Sequence, residues 1–222
     1  LPLGRKSIFC YVTDRRSVQA APIPADSSTN NFTPLHDSIR RADAAGVSWI
    51  QIREKDLDAR ALVSLTRFAV AETRTTAALI FVNDRLDVAL AGNAAGVHLG
   101  EKSLALETVV EWRRSAGQLD FLIGVSCHSL ESARAAERGG ADYIFFGPVF
   151  ATPSKAAFGA PQGIERLREV CAAIAIPVLA IGGVNLENAR ECIGAGAAGI
   201  AAIRLFQDSA DTAELAARLK SI

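Results

Sequence analysis

The chain is predicted to be an α/β protein, a single closed (β/α)8 barrel of the TIM type, on three observations. Short apolar runs rich in β-branched and aromatic residues alternate with segments of helical period, eight times over, and strict alternation of this kind builds a parallel sheet. The length of 222 residues, half of them hydrophobic, suits one undivided α/β barrel spanning residues 1–222. No Gly-x-Gly-x-x-Gly follows the first strand, as an open dinucleotide-binding sheet would require, so eight units favour closure over a doubly wound sheet. Neither a low-complexity tract nor a second domain interrupts the pattern.

Residues 7–13, Ser-Ile-Phe-Cys-Tyr-Val-Thr, read as a buried first strand ended by Asp14 and Arg15. Residues 16–31 carry Pro, Ser, Ala and Asn without an apolar period, which predicts a long loop inside the domain. Because it follows a strand it belongs to the functional face of a barrel, and we expect it to act as a mobile lid that excludes water. Thr33 and Pro34 suit the N-cap and first position of a helix running to about residue 45.

The second strand runs from Val47 through Gln51-Ile52-Arg53-Glu54-Lys55, and side-chain alternation should send Gln51, Arg53 and Lys55 to one face. Residues 58–73 have helical spacing, with Ala61, Leu62, Leu65, Phe68 and Ala69 on one side. Strand 78–82 ends in Asn83-Asp84. There follow helix 86–91, strand 96–100, helix 106–115, strand 121–126, helix 130–138, strand 142–149, helix 163–174, strand 177–182, helix 186–194, strand 199–203 and helix 211–219. Four helix-to-strand junctions look alike, at residues 44–47, 94–97, 139–142 and 197–200, where small residues let the chain reverse tightly.

Composition excludes several classes. The 24 basic and 24 acidic side chains cancel, so no global field points to nucleic acid or to an anionic membrane. Four cysteines, Cys10, Cys127, Cys171 and Cys192, lack metal or disulfide spacing and are expected to be reduced packing residues. No apolar run reaches the roughly 18 residues needed to cross a bilayer, and no signal h-region is present. A soluble cytoplasmic protein is expected, with which a homo-oligomer is compatible.

Chemistry in such a barrel sits at the C-terminal ends of the strands. This sequence places there Gln51, Arg53 and Lys55 from strand 2, Asn83 and Asp84 from strand 3, and Ser126 and His128 from strand 5. Strand 6 adds Gly147, Thr152, Ser154 and Lys155, strand 7 adds Gly182-Gly183, and strand 8 runs into Arg204. Cations, an amide, a carboxylate, hydroxyls and backbone glycines describe a phosphate or diphosphate site with room for one Mg2+. The glycines and the start of the last helical segment fit the phosphate pocket this fold commonly builds, although a tight turn would also use them. His98 is expected to be packed in its strand and His36 to face solvent, while His128 is either a proton carrier near the strand end or part of a helix start beside Ser129.

These residues, in this order, resemble the thiamine phosphate synthase and thiazole tautomerase superfamily, which is a (β/α)8 barrel. The matching blocks are Gln51-Ile-Arg-Glu-Lys55, Val82-Asn-Asp-Arg85, Gly96-Val-His-Leu-Gly100, Gly124-Val-Ser-Cys-His-Ser129, Gly140 to Phe150 with Thr152-Pro-Ser-Lys155, and Ile181-Gly-Gly183. In the synthase, the resemblance implies transfer of a hydroxymethylpyrimidine group from its diphosphate to the nitrogen of a thiazole phosphate, giving thiamine phosphate and diphosphate. Gln51, Arg53, Lys55, Asn83 and Lys155 would then hold the diphosphate and pyrimidine, and Asp84 would bind Mg2+. Thr152, Ser154 and Gly183 would hold the thiazole and its phosphate, and the chemistry would fall to Lys55, Lys155, Ser126 and His128.

Two positions depart from the pattern. Ser103 stands where the synthases usually carry a second acidic Mg2+ ligand, so a hard cation should bind more weakly. Arg204 replaces the usual small hydroxyl residue after strand 8 and either pairs with the thiazole phosphate or projects idly. Ser103 and the Cys127-His128-Ser129 block lean toward a tautomerase using His128, whereas Asp84 and the complete Gln-x-Arg-x-Lys set lean toward a synthase. A non-catalytic barrel that binds phosphate ligands is the third reading.

Overall fold

The computed structural model of the protein describes residues 7–18, 32–76, 78–152, 160–209 and 211–222. Eight short parallel strands, β1 (Ile8–Val12), β2 (Trp49–Ile52), β3 (Leu79–Asn83), β4 (Gly96–Leu99), β5 (Leu122–Cys127), β6 (Tyr143–Phe146), β7 (Val178–Ile181) and β8 (Gly199–Ala202), close into a barrel in sequence order. The described helices are α1 (Thr33–Ala44), α2 (Ala59–Glu72), α3 (Leu86–Ala91), α4 (Leu106–Ser115), α5 (Leu130–Arg138), α6 (Gly163–Ala173), α7 (Ala189–Gly194), α8 (Arg204–Gln207) and α9 (Thr212–Lys220). The predicted architecture is the observed one. None of these helices is long and apolar enough to cross a membrane.

Alternation along each strand divides the hydrophobic residues between two cores. Ile8, Cys10, Val12, Trp49, Phe81, Tyr143, Phe145, Leu179 and Ala201 fill the barrel, while their neighbours, such as Phe9, Tyr11, Ile50, Ile80, Val97, Ile144 and Ile200, pack outward against the helices. The large inner rings fit because inner positions on other strands are glycines. A Cβ on Gly124 would lie 2.1 Å from Cζ of Tyr143. Cys10, Cys127 and Cys192 are buried and Cys171 is half-buried, all as free thiols, and burial raises their pKa values.

The four similar junctions turn out to use small residues for two different reasons. Gly46 and Gly140 take positive φ values of 86° and 91° and make the reversal itself. Gly96 and Gly199 instead begin strands, and a Cβ there would approach the backbone oxygens of Leu122 and Ile8 to 2.2 and 2.0 Å. The left-handed residues at those junctions are Asn93 and Gly196.

Several boundaries differ from expectation. β2 stops at Ile52 rather than continuing to residue 55, because Arg53 N donates to Thr13 Oγ1 at 2.9 Å and the carboxylate of the next residue, Glu54, accepts from Arg15 N. β6 stops at Phe146, ahead of the Gly147-Pro148 bond, which is cis. α7 begins at Ala189 instead of residue 186, since Asn185 Oδ1 accepts from the N–H groups of Glu187 and Asn188 at 2.9 and 3.0 Å and holds them in a turn. Thr33 is the first residue of α1 and Phe32 its cap, so Thr33 does not serve as the N-cap. α8 is a turn not foreseen in the sequence. His36 does not face solvent freely: its ring stacks on Phe68 at 3.6 Å between centroids, and burial lowers its pKa. The lid expected over residues 16–31 falls almost wholly on residues 19–31, outside the described residues, as do Ser154 and Lys155.

Candidate active site

A continuous hydrogen-bonded chain crosses the C-terminal ends of β2, β3 and β4. Gln51, 2% exposed, donates from Nε2 to Asn83 Oδ1 at 3.1 Å, and Asn83 Nδ2 donates to Asp84 Oδ2 at 2.6 Å. Asp84 has a φ of 63°, a conformation Asp tolerates better than most residues. Its N–H continues the ladder to the carbonyl of His98 at 2.9 Å, while its side chain turns toward the loop after β4. There Asp84 Oδ1 accepts from Gly100 N at 3.3 Å and, at short range, from Ser103 Oγ. Ser103 Oγ in turn accepts from Gly100 N at 2.7 Å.

A second chain lies beside the first. His98 points into the barrel and is 1% exposed, its Nε2 2.9 Å from Ser126 Oγ and its Nδ1 3.3 Å from the Tyr143 hydroxyl. Burial pushes its pKa down to about 3, with the negative charge of Asp84 opposing this and the positive charge of Arg53 assisting. The imidazole is therefore neutral, and the Arg53 and Asp84 charges both act on it. His98 is packed in its strand, as expected, but it also holds Ser126, which the sequence reading missed. The available signal was parity: His98 pairs in register with Gly124, two residues before Ser126.

The residues after β2 differ sharply in exposure. Glu54 is 4% exposed and accepts from Arg15 N through both oxygens at 3.1 and 3.0 Å, tying the chain after β1 to the end of β2. Burial raises its pKa, while bonds from Thr13 and Arg15 counteract this. Lys55 is exposed and lines a cleft of about 280 Å³ together with Glu54, Asn83, Asp84 and Arg85. Lys55 thus forms part of the wall of a cleft that Asn83 and Asp84 also line.

His128 follows β5 directly. Its Nδ1 makes a short contact with the carbonyl of Gly147, and its Nε2 lies 3.9 Å from Glu101. The adjacent Ser129 caps α5 in a capping box with Ser132. Across the mouth, Val149 N and Phe150 N donate to the carbonyls of Ile181 and Gly182, both at 2.9 Å, which lays the segment leading to Thr152 alongside Gly183. Gly183 has a φ of 68°, and a Cβ there would sit 2.6 Å from the carbonyl oxygen of Ala151. Tight packing of two loops thus explains this glycine without a ligand. Arg204 is exposed at the first turn of α8 and forms no ion pair among the described residues.

The donor set sets a limit on any metal. Among the described residues no group of three or more His, Cys, Asp or Glu side chains could hold an ion, and Ser103 supplies a hydroxyl where a second carboxylate would strengthen the site. Mg2+, however, keeps several waters and needs only one or two carboxylates when it shares a substrate's phosphates. Asp84, with the Ser103 oxygen beside it, meets that smaller requirement.

Comparison with known proteins identifies the family. Residues 24–206 match the family model described as thiamine monophosphate synthase. A thiamine-phosphate synthase of Moorella thermoacetica is 43% identical over 189 residues, covering 85% of this chain and 88% of that one. Another, from Methanoregula boonei, is 47% identical over 169 residues and covers 76% of each. The solved thiamine phosphate pyrophosphorylase of Pyrococcus furiosus superposes with a TM-score of 0.81 at 34% identity, over 96% of this chain and 94% of that one. With the barrel, the polar strand ends and these relatives together, the chain belongs to the thiamine monophosphate synthase family.

Proposed function

We propose that the mouth of this barrel joins hydroxymethylpyrimidine diphosphate to a thiazole phosphate, releasing diphosphate, as a transferase of thiamine biosynthesis. The bond between the pyrimidine methylene carbon and the diphosphate oxygen breaks with its electron pair leaving on diphosphate. The thiazole nitrogen then supplies the pair for the new carbon–nitrogen bond. Positive charge grows on the methylene group and negative charge on the leaving oxygen, so preorganised charge stabilisation is the main requirement.

The observation that carries this reading is the convergence of Gln51, Asn83, Asp84 and Ser103 in one hydrogen-bonded chain, with the Arg53 charge and the Ser126–His98 pair next to it. Arg53 and Lys55, with Lys155, are assigned to the diphosphate; Gln51 and Asn83 orient the pyrimidine side and Ser126 contacts the departing oxygen. When bound at Asp84, Mg2+ would neutralise part of the diphosphate charge. Thr152, Ser154, Gly183 and Arg204 are assigned to the thiazole phosphate. The substrates are small phosphate esters, which fits a balanced net charge and a cytoplasmic enzyme.

Purified protein mixed with both substrates and Mg2+ should release diphosphate and thiamine phosphate in equal amounts, and Asp84→Ala should suppress both. No release above background would overturn the proposal. Isomerisation of a thiazole carboxylate phosphate, abolished by His128→Ala, would instead support the tautomerase alternative.

A further inference from the structure

We propose that Tyr143 and His98 are positioning residues that fix the direction of the Ser126 hydroxyl, making it a donor to an anionic phosphate oxygen at the barrel mouth. The inference rests on the reading of that mouth as a diphosphate site. A neutral imidazole has one N–H and one acceptor nitrogen, so the two tautomers give Ser126 opposite characters. With hydrogen on Nδ1, Ser126 would spend its proton on Nε2 and offer the mouth only lone pairs, which suits a cation or an N–H group. With hydrogen on Nε2, Ser126 accepts from His98 and its own proton remains available for an anion.

The surroundings select the second arrangement. Tyr143 is 1% exposed, and burial raises its pKa well above the usual phenol value, so it carries a proton that needs an acceptor. Among the described residues the partner of its hydroxyl is His98 Nδ1 at 3.3 Å. Hydrogen on Nδ1 would leave that buried O–H unsatisfied, which native interiors avoid. Tyr143 therefore donates to Nδ1, and Nε2–H donates to Ser126 Oγ at 2.9 Å.

The pair is also rigidly held. Trp49 and Phe81 pack on Tyr143 with centroids 4.6 and 5.3 Å away, and Phe145 packs on His98 at 4.2 Å. Gly124 leaves the space that the phenol occupies, since a Cβ there would lie 2.4 Å from the Tyr143 oxygen. Ser126 itself is half-buried on the penultimate residue of β5. Its remaining proton is thus free to meet a ligand from the open side.

The test uses the full chain and the isosteric variant Tyr143→Phe, which removes one oxygen and keeps the ring packing. Nitrogen-15 NMR of the histidine side chains should show His98 protonated at Nε2 in the wild type, with the Nε2–H preference weakened in Tyr143→Phe; an Nδ1–H form in the wild type would overturn the proposal. Titration with inorganic diphosphate should show Tyr143→Phe weakening binding about three- to tenfold, the range for one hydrogen bond, and having no effect when Ser126 is already Ala. Equal losses in both backgrounds would make Tyr143 a packing residue only and overturn the relay. If these results hold but the substrates are not turned over, the synthase reading fails while the relay stands; turnover with equal losses gives the reverse.

Discussion

His98 makes the stability of this protein sensitive to acid, by an amount the structure allows to be worked out. Its usual pKa of 6.5 falls to about 3 on burial in the folded chain. Between those values the unfolded chain binds a proton that the folded chain does not, so stability is full above about pH 6.5 and falls as pH drops through the window. One pKa unit corresponds to about 1.4 kcal/mol, so acidification from pH 6.5 to pH 5 removes about 2 kcal/mol through this residue alone. For a chain of this length that is about 4–8 °C in Tm. His36, with a pKa also lowered by burial, acts in the same direction. Glu54 acts oppositely, because its raised folded pKa gives a contribution that is full at low pH and lost as pH rises through it. Both are retained in His98→Asn, whose amide keeps a donor near Ser126 and cannot titrate. Urea or thermal unfolding of the two proteins from pH 7 to pH 5 should therefore show profiles that converge as pH falls. Parallel profiles would refute the buried neutral imidazole.

Three further outcomes follow from close contacts and from the donor set. Gly124→Ala places a Cβ 2.1 Å from Tyr143 Cζ and should destabilise by about 1–3 kcal/mol, visible in urea unfolding; an unchanged midpoint would contradict the ring packing inside the barrel. Ser103→Asp adds a second carboxylate beside Asp84 and should tighten Mg2+ binding roughly tenfold by calorimetry in the presence of diphosphate. An unaltered affinity would detach Asp84 from the metal. Glu54→Ala removes the acceptor of the Arg15 N–H and leaves a part-buried donor without that charged partner, costing about 1–3 kcal/mol, measurable as a lowered Tm.

The barrel was legible because each of its eight units carries its own short apolar strand, and alternation is a local signal. Legibility failed where a residue's surroundings come from another strand. Gly96 and Gly46 sit in look-alike junctions, yet one is required by the Leu122 carbonyl across the sheet and the other by its own φ. Period-two reasoning carried Gln51 correctly into the barrel, but the strand itself stops at Ile52, where Thr13 Oγ1 accepts from the Arg53 N–H. Glu54, in the middle of the most conspicuous polar block, proved to be an anchor for the chain after β1. Its burial depends on Arg15, 39 residues earlier.

The same logic separates the two polar chains at the mouth. Gln51, Asn83 and Asp84 end neighbouring strands, so a reader who knows the fold can place them together from sequence. Ser126 also ends a strand, but its chemical character is not its own: a hydroxyl is donor or acceptor according to what it already serves. Tyr143 enters β6 and His98 lies midway along β4, both at positions any strand pattern assigns to the interior. A tyrosine and a histidine spend more buried polar atoms than a purely apolar barrel filling needs, and each must be satisfied. That cost is met by a single path, from phenol to imidazole to hydroxyl, which ends at the one member open to a ligand. The interior of this barrel is therefore part of its active site, and substitutions that look like changes of packing at Gly124 or Tyr143 should be read first for what they do to Ser126.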